Sequence, residues 1–437
     1  MNQAPFEASN EPQMTSEIKT VSVKHSSGGW LWVLVWLSFV LCVAHSQVVE
    51  AREKSVVQWA GVSLAGDYSK LSKLMPTLYD LVARDLTFQK QLSDRVEQAV
   101  SEVASGHPSL KILVSDQARQ GDDSFALTLA LAGESVTSYR QGSTTHVDYV
   151  IQALVLVANV SKDPSKQRIV TSYPVQVRYS RAYPDGALPP GTDRRDLVAA
   201  MLMGQAGKAD LVTEWKKRLA DVRLRDKQVW LSVAPLLISS EAQRAGGFTS
   251  DQAASLAFKV SSVVEGNISK SADIPLVPTT FDEALNQITL SFADRGIVAF
   301  AKPDPNYVFQ VTVYALRSQE EKRALSKESE FAIAYGGGFE VEYFSVDPDR
   351  RRKKEFGVRL QSVQSVGFLA TTRDAHQASS ADMFSRLISH FSDELSANLI
   401  PANSNWIERR KASSESRGAR ELTELISSKL PKPDTIK

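Results

Sequence analysis

The chain has 437 residues, of which 43% are hydrophobic and 23% charged, enough for two or three domains with cores of their own and too globular a composition for a chain disordered throughout. Its 51 basic residues nearly balance 50 acidic ones, so charge gives no global attraction to nucleic acid and names no partner. The single cysteine, Cys42, lies in an apolar segment, which leaves the rest without a thiol nucleophile, a cysteine metal site or a disulfide.

Residues 1–29 are a polar leader whose only basic residues are Lys19 and Lys24. The apolar run that opens at Trp30 and reaches Val49 has the character of a signal sequence or a membrane anchor. Ala44-His45-Ser46 presents the small residues that signal peptidase needs, giving a mature chain from Gln47, whereas continuation through Val48 and Val49 favours an uncleaved anchor. Both outcomes stay open. Leu41 before Cys42 argues against lipidation, and Lys19 and Lys24 on one side against Arg52 and Lys54 on the other tie the positive-inside count. The expected location is the cell envelope, either periplasmic or anchored in the inner membrane with a periplasmic body.

Residues 50–190 read as a first α/β module. Val56–Val62 is a strand, Leu71–Leu86 is helical with Pro76 in a first turn, and Phe88, Leu92, Val96, Val100 and Val103 line one face of a second helix. Strands follow at Lys111–Ser115, Ser124–Leu131, Tyr149–Val160 and Arg168–Tyr179, before a cluster of turn formers at Tyr183–Gly191. Residues 191–227 form a helical connector. The second module, 228–400, opens with a strand at Val229–Ala234, and capping-box spacings at Thr249/Gln252 and Thr280/Glu283 each start a helix. Phe281, Leu285, Ile288 and Phe292 are the expected buried stripe of the latter. Strands are then expected at Ile297–Phe300, Tyr307–Leu316, Phe331–Tyr335, Phe339–Phe344 and Phe356–Val366, and Met383 to Leu399 form the most regular amphipathic helix of the sequence. Residues 401–437 are a polar C-terminal tail.

Asp148-Tyr-Val-Ile-Gln-Ala-Leu-Val155 matches Asn306-Tyr-Val-Phe-Gln-Val-Thr-Val313, and Val175-Gln-Val-Arg-Tyr179 matches Phe339-Glu-Val-Glu-Tyr343 in the same order. The fold class that follows is α+β, two related helix-plus-antiparallel-sheet modules after the N-terminal segment. A helix leading into a polar-Tyr-Val strand, a hairpin and a closing amphipathic helix resembles the small α/β modules of the TolB amino terminus and of CsgG. The resemblance covers Val229–Leu399 best, carries over no site residue, and implies a non-enzymatic role in envelope assembly or secretion.

The body's histidines offer no catalytic or metal site. His146 and Asp148 share one strand face and read as a solvent-exposed pair at a strand edge, and His390, Asp393 and Glu394 read as an ordinary helix face at i, i+3 and i+4. Tyr335-Gly-Gly-Gly338-Phe precedes a strand rather than a helix, so it reads as a turn or bulge and not a phosphate loop. No residue is assigned to catalysis, a cofactor or a metal. Arg350, Arg351, Arg352, Lys353 and Lys354 form an exposed hairpin tip suited to an anionic partner. The expected function is a non-enzymatic envelope scaffold or assembly factor, with a periplasmic ligand-binding or sensory domain, or an enzyme with a dispersed site, as rivals. Expected partners are the membrane through residues 30–49 if uncleaved and other envelope proteins, with a homo-oligomer left open and nucleic acid excluded by the lack of aromatics among the basic residues.

Overall fold

The computed structural model describes residues 54–410, apart from 115–122, 142–143, 185–190, 206–208, 225–227, 273, 280–286, 293–295, 325–328, 370–379, 400–405 and 407–408. The leader, the segment 30–49, the turn cluster after Tyr183 and most of the C-terminal tail lie outside the described residues. No helix among the described residues is long and apolar enough to cross a membrane.

The first module starts with strand β1 (Ser55–Ala65), a helical stretch made of α1 (Tyr68–Leu74), α2 (Pro76–Tyr79) and one π turn, and helix α3 (Leu86–Ala104). Pro76 occupies the first turn of α2, where its missing N–H costs nothing. Asp85 caps α3 by accepting a hydrogen bond from the Phe88 N–H. Strand β2 (Leu110–Leu113) and the long strands β3 (Asp123–Gln141), β4 (Thr144–Ser161) and β5 (Arg168–Tyr183) follow, then helices α4 (Gly191–Met203) and α5 (Leu211–Ala220). The connector is thus two helices, broken near Gly204 at φ +62.

The second module runs through β6 (Leu231–Val233), β7 (Leu237–Ile238), α6 (Ser240–Gly246), α7 (Ser250–Ala272), β8 (Gln287–Phe292), β9 (Gly296–Ala301), β10 (Tyr307–Ala324), β11 (Ser329–Val346), β12 (Arg352–Leu369) and α8 (Ser380–Leu399). The expected capping box is formed at α7, where the Thr249 N–H donates to Gln252 Oε1 at 3.0 Å and the Gln252 N–H to Thr249 Oγ1 at 3.2 Å.

Two sheets of mixed parallel and antiparallel strands result. In the first, β1 lies parallel to β3, and β3, β4 and β5 form an antiparallel meander. In the second, β6 lies parallel to β10, and β10, β11 and β12 form the same meander. The bulges correspond as well, one within β3 and one within β10, and one near the start of β5 and of β12. The two modules are therefore related in topology, with β3 answering to β10 and β4 to β11. The sequence match paired β4 with β10, one strand out of step. Alternating Val and Tyr residues suit any half-buried strand, so they cannot fix which strand is which.

Three further differences from the sequence reading have physical causes. Ile288 and Phe292 belong to β8, a strand rather than a helix, and residues 281–286 lie outside the described residues. Spacing of i, i+4 fits a helix face and also one face of a strand, so the pattern alone was ambiguous. Gly336–Gly338 stand in the middle of β11 and form no turn; the bulge lies opposite them, at Tyr314 of β10, whose ring a Cβ on Gly338 would approach within 2.6 Å, which is why glycine stands there. Finally, Trp406, in what reads as the polar C-terminal tail, is buried beside Phe391 at a ring separation of 6.1 Å.

Sheet one has two differently covered faces. Odd-numbered residues of β4, from Val147 to Val157, join β3 and β5 under the helices α1 to α5. On the other face, Leu154, Leu156 and Ala158 meet the β8–β9 hairpin, which pairs with β1 and touches β5 at Arg168. That hairpin, supplied by the second half of the chain, curls the sheet into a small closed barrel and explains why Leu154 to Ala158 is buried on both faces. The second core lies between β10–β12 and the helices α7 and α8, with Phe339 stacked on Phe391 at 3.7 Å.

His107, after α3, ties the first module to its helical cover. Its Nε2 lies 3.0 Å from the Leu219 carbonyl, to which it donates, and its Nδ1 accepts from the N–H groups of Ser109 and Leu110. That pattern requires the neutral ring, and burial holds its pKa below the ordinary 6.5. The unfolded chain therefore takes up this proton first, so the stabilisation from His107 is complete above pH 6.5 and is lost as pH falls through the lowered value. Urea denaturation repeated at descending pH should show stability declining below about 6.5, and His107→Gln should remove that part of the slope.

Candidate functional site

The two modules meet through helix α7. Its Leu256, Val260, Val264 and Ile268, four residues apart, enter the second core. The adjacent face carries Lys259, Ser262, Glu265 and Ser269, all buried. A polar helix face belongs in water unless partners replace the water, and here sheet one supplies them. Asp148 and Gln152, four residues apart on the even face of β4, stand opposite. Lys259 Nζ lies 2.7 Å from Thr137 Oγ1 and 3.3 Å from Asp148 Oδ2. The Gln152 amide donates to Glu265 Oε2 at 2.7 Å and accepts from the Ser262 hydroxyl at 2.9 Å. Gly133 on β3 permits the close approach, since a Cβ there would meet the Phe258 ring at 2.5 Å.

The ionic part extends to α8. Arg178 on β5 bridges Asp148 at 2.7 Å and Asp393 at 2.8 Å, and the Ser180 hydroxyl donates to Asp148 at 2.6 Å. Burial pushes the Lys259 amine down, an effect that Asp148 only partly offsets. Burial pushes the Asp148 carboxyl up, but Lys259, Ser180 and Arg178 outweigh it and hold the group below the usual carboxylate range. Burial lowers Arg178, and the two aspartates more than reverse that, so it stays charged.

Two cavities adjoin across the Arg178–Asp393 pair. One, of about 240 Å³, lies between β3, β4, β12, α7 and α8 and is lined by Lys259, Asp148, Arg178, Asp382, Arg386 and His390 among others. The second, of about 550 Å³, lies between β5, α5 and α7, with Val175 and Val263 in its wall and Lys217, Arg218 and Lys270 among its charged residues.

The residues singled out in the sequence fall in three places. Asp148 is not a solvent-exposed strand-edge group; it is 6% exposed and central to the junction, because α7 covers that end of β4. His390 is exposed on α8, 3.6 Å from Glu394, which also pairs with Arg410 at 2.6 Å, while Asp393 turns to Arg178. The basic run is exposed, with Arg350 and Arg351 in the turn between β11 and β12 and Arg352, Lys353 and Lys354 opening β12; Arg350 has φ +60 and the Arg351 N–H is bonded to Asp347 Oδ1 at 2.7 Å. Lys354 lies 2.5 Å from Glu342 and Arg350 2.9 Å from Asp304, whereas Arg351 and Arg352 are exposed. Among the described residues, no group of three or more His, Cys, Asp or Glu side chains is placed to hold a metal. Sequence reading missed Lys259 and Glu265; the available signal was a helix carrying a polar stripe of small residues around one lysine and one glutamate beside a complete apolar stripe.

No protein-family model and no curated protein matches the sequence. Among solved structures, a minor lipoprotein from Acinetobacter baumannii is similar at 9% identity and a TM-score of 0.20, over 39% of this chain and 92% of that one. A putative neuraminyllactose-binding hemagglutinin homolog from Helicobacter pylori gives 11% identity and a TM-score of 0.25, over 42% and 89% of the two chains. A hypothetical protein from Chlamydia trachomatis gives 8% and 0.19, over 40% and 100%. At such values the functional reading rests on the site itself.

Proposed function

We infer that the chain is a non-enzymatic scaffold or assembly factor of the bacterial cell envelope, released into the periplasm or held at the inner membrane by residues 30–49. The observation that carries this reading is the pairing at the module junction. Lys259, Asp148, Arg178 and Asp393 are engaged with one another, so their charge joins α7 and α8 to sheet one. A general acid or base must instead present its proton-exchanging atom to a substrate. The product is a stiff two-module body that holds the β11–β12 tip away from the core for an anionic partner. The apolar segment from Trp30 supports export, and the pattern likeness to TolB and CsgG modules agrees with an assembly role.

Fractionation with protease access tests the location. A body protected in whole cells and digested in spheroplasts is the expected result; one digested only after lysis is cytosolic and ends the envelope reading. For the tip, Arg351→Glu with Arg352→Glu should leave thermal unfolding unchanged and reduce co-sedimentation with anionic phospholipid vesicles at low salt. Undiminished sedimentation would remove the tip from the binding surface. A ligand-binding role at the junction is the second reading, favoured by the two cavities there.

A further inference from the structure

We propose that the anionic partner of the β11–β12 tip is an extended acidic segment of another polypeptide, which adds as a strand to the open edge of β12 beside the tip. The inference rests on the reading of that tip as a surface for an anionic partner and names the class of partner. Strand β12 is the last strand of its sheet and, among the described residues, pairs with β11 alone. In such a strand about half the residues turn their N–H and C=O groups away from their one neighbour, a row that a further strand can bond. From Arg352 to Leu360 no backbone hydrogen bond from a described element other than β11 reaches that edge. The stretch includes no proline, so no donor is missing from the row. At Gln361 the edge closes. There Arg410 donates to the Gln361 carbonyl at 3.4 Å and to Ser362 Oγ at 3.0 Å, which leaves an open stretch of about 30 Å, within the range of ordinary strands.

Charge selects the occupant. The open stretch carries Arg352, Lys353, Lys354 and Arg359 against one acidic residue, Glu355, and Arg351 precedes it in the turn. Lys353 lies 3.3 Å from Glu355, Lys354 2.5 Å from Glu342 and Arg359 3.7 Å from Glu340. Arg351 and Arg352 are exposed and form no ion pair among the described residues. A carboxylate arriving beside the tip therefore meets two guanidinium groups that no acid neutralises, while the rest of its chain bonds the main-chain row. A second copy is disfavoured: aligned antiparallel over the whole stretch it sets Lys353 opposite Arg359, and aligned parallel it sets each leading cation against its own copy. Lipid headgroups would use the guanidinium groups and leave the strand edge unbonded.

The test titrates the full-length chain, purified in detergent, with a short peptide alternating glutamate and threonine. The same peptide N-methylated at every residue keeps the charge and lacks the N–H groups. Saturable binding is expected, weakened at least about tenfold by N-methylation and, separately, by Arg351→Glu with Arg352→Glu. Amide exchange in Arg352–Leu360 should slow when the unmethylated peptide is bound. Equal binding of the two peptides overturns the proposal and leaves a purely ionic tip. Binding that leaves exchange in that stretch unchanged overturns it as well. If anionic phospholipid vesicles bind through Arg351 and Arg352 while neither peptide does, the proposal fails and the tip reading stands; if neither peptides nor vesicles bind, both fail.

Discussion

Asp148→Ala should destabilise the body by about 3–5 kcal/mol, because it leaves the Lys259 ammonium buried without its counter-charge. Lys259 is 3% exposed, so little of its charge is hydrated. Arg178 would lose one of its two aspartates and keep Asp393. The single change therefore costs more than the pair contributes: Asp148→Leu combined with Lys259→Met removes both charges and should recover most of the loss. Urea unfolding of the two single variants and the double one measures this directly. If the double variant is as unstable as the sum of the singles, the pair is not coupled as its geometry requires. The pH dependence gives a separate reading. Asp148 sits below its ordinary 3.8 in the folded chain, so the unfolded chain protonates first. The stabilisation it provides is complete above pH 3.8 and is lost as pH falls through the lowered value. Asp148→Asn should flatten that acid limb.

Trp215→Ala should cost a similar amount, about 3–5 kcal/mol, through cavity formation in the first core. Trp215 of α5 is fully buried, its ring lies edge-on to Trp59 at 5.8 Å, and its Nε1–H donates to the Leu154 carbonyl at 3.1 Å. The residue thus joins three elements, α5, β1 and β4, at one point. Trp215→Phe keeps most of the packed volume and loses the hydrogen bond, so its cost should be well below that of alanine, near about 1–3 kcal/mol. Equal losses for the two variants, measured by urea unfolding, would mean that the hydrogen bond and not the packing dominates.

Much of this architecture was written locally. The Thr249/Gln252 capping box, the amphipathic repeat from Met383 to Leu395 and the alternation in Tyr307–Leu316 each depend on neighbours within a few residues, and each is formed as its spacing requires. The hairpin tip at Arg350 is equally local, set by Asp347 and Pro348 before it. The candidate site was not legible. Its walls come from β3, β4, β5, β12, α7 and α8, separated by more than two hundred residues between Thr137 and His390, and no short spacing brings such groups together. Lys259 and Glu265 carried no signal of their own, because a polar helix stripe looks the same whether water or a polar sheet covers it.

The sequence by itself determined most of the helices and strands, the apolar stripe of the closing helix, the α+β class and the presence of an apolar segment near the start, because capping, periodicity and hydropathy act over one or two turns of chain; at Ile288 and Phe292 the same spacing served a strand. Tertiary structure alone decided that β8 and β9 complete the first sheet rather than the second, which strands of the two modules correspond, and that Asp148 and Lys259 are buried partners instead of surface charges. Those outcomes depend on which faces meet across the chain, and burial turns the same residue from a solvated charge into half of a buried pair.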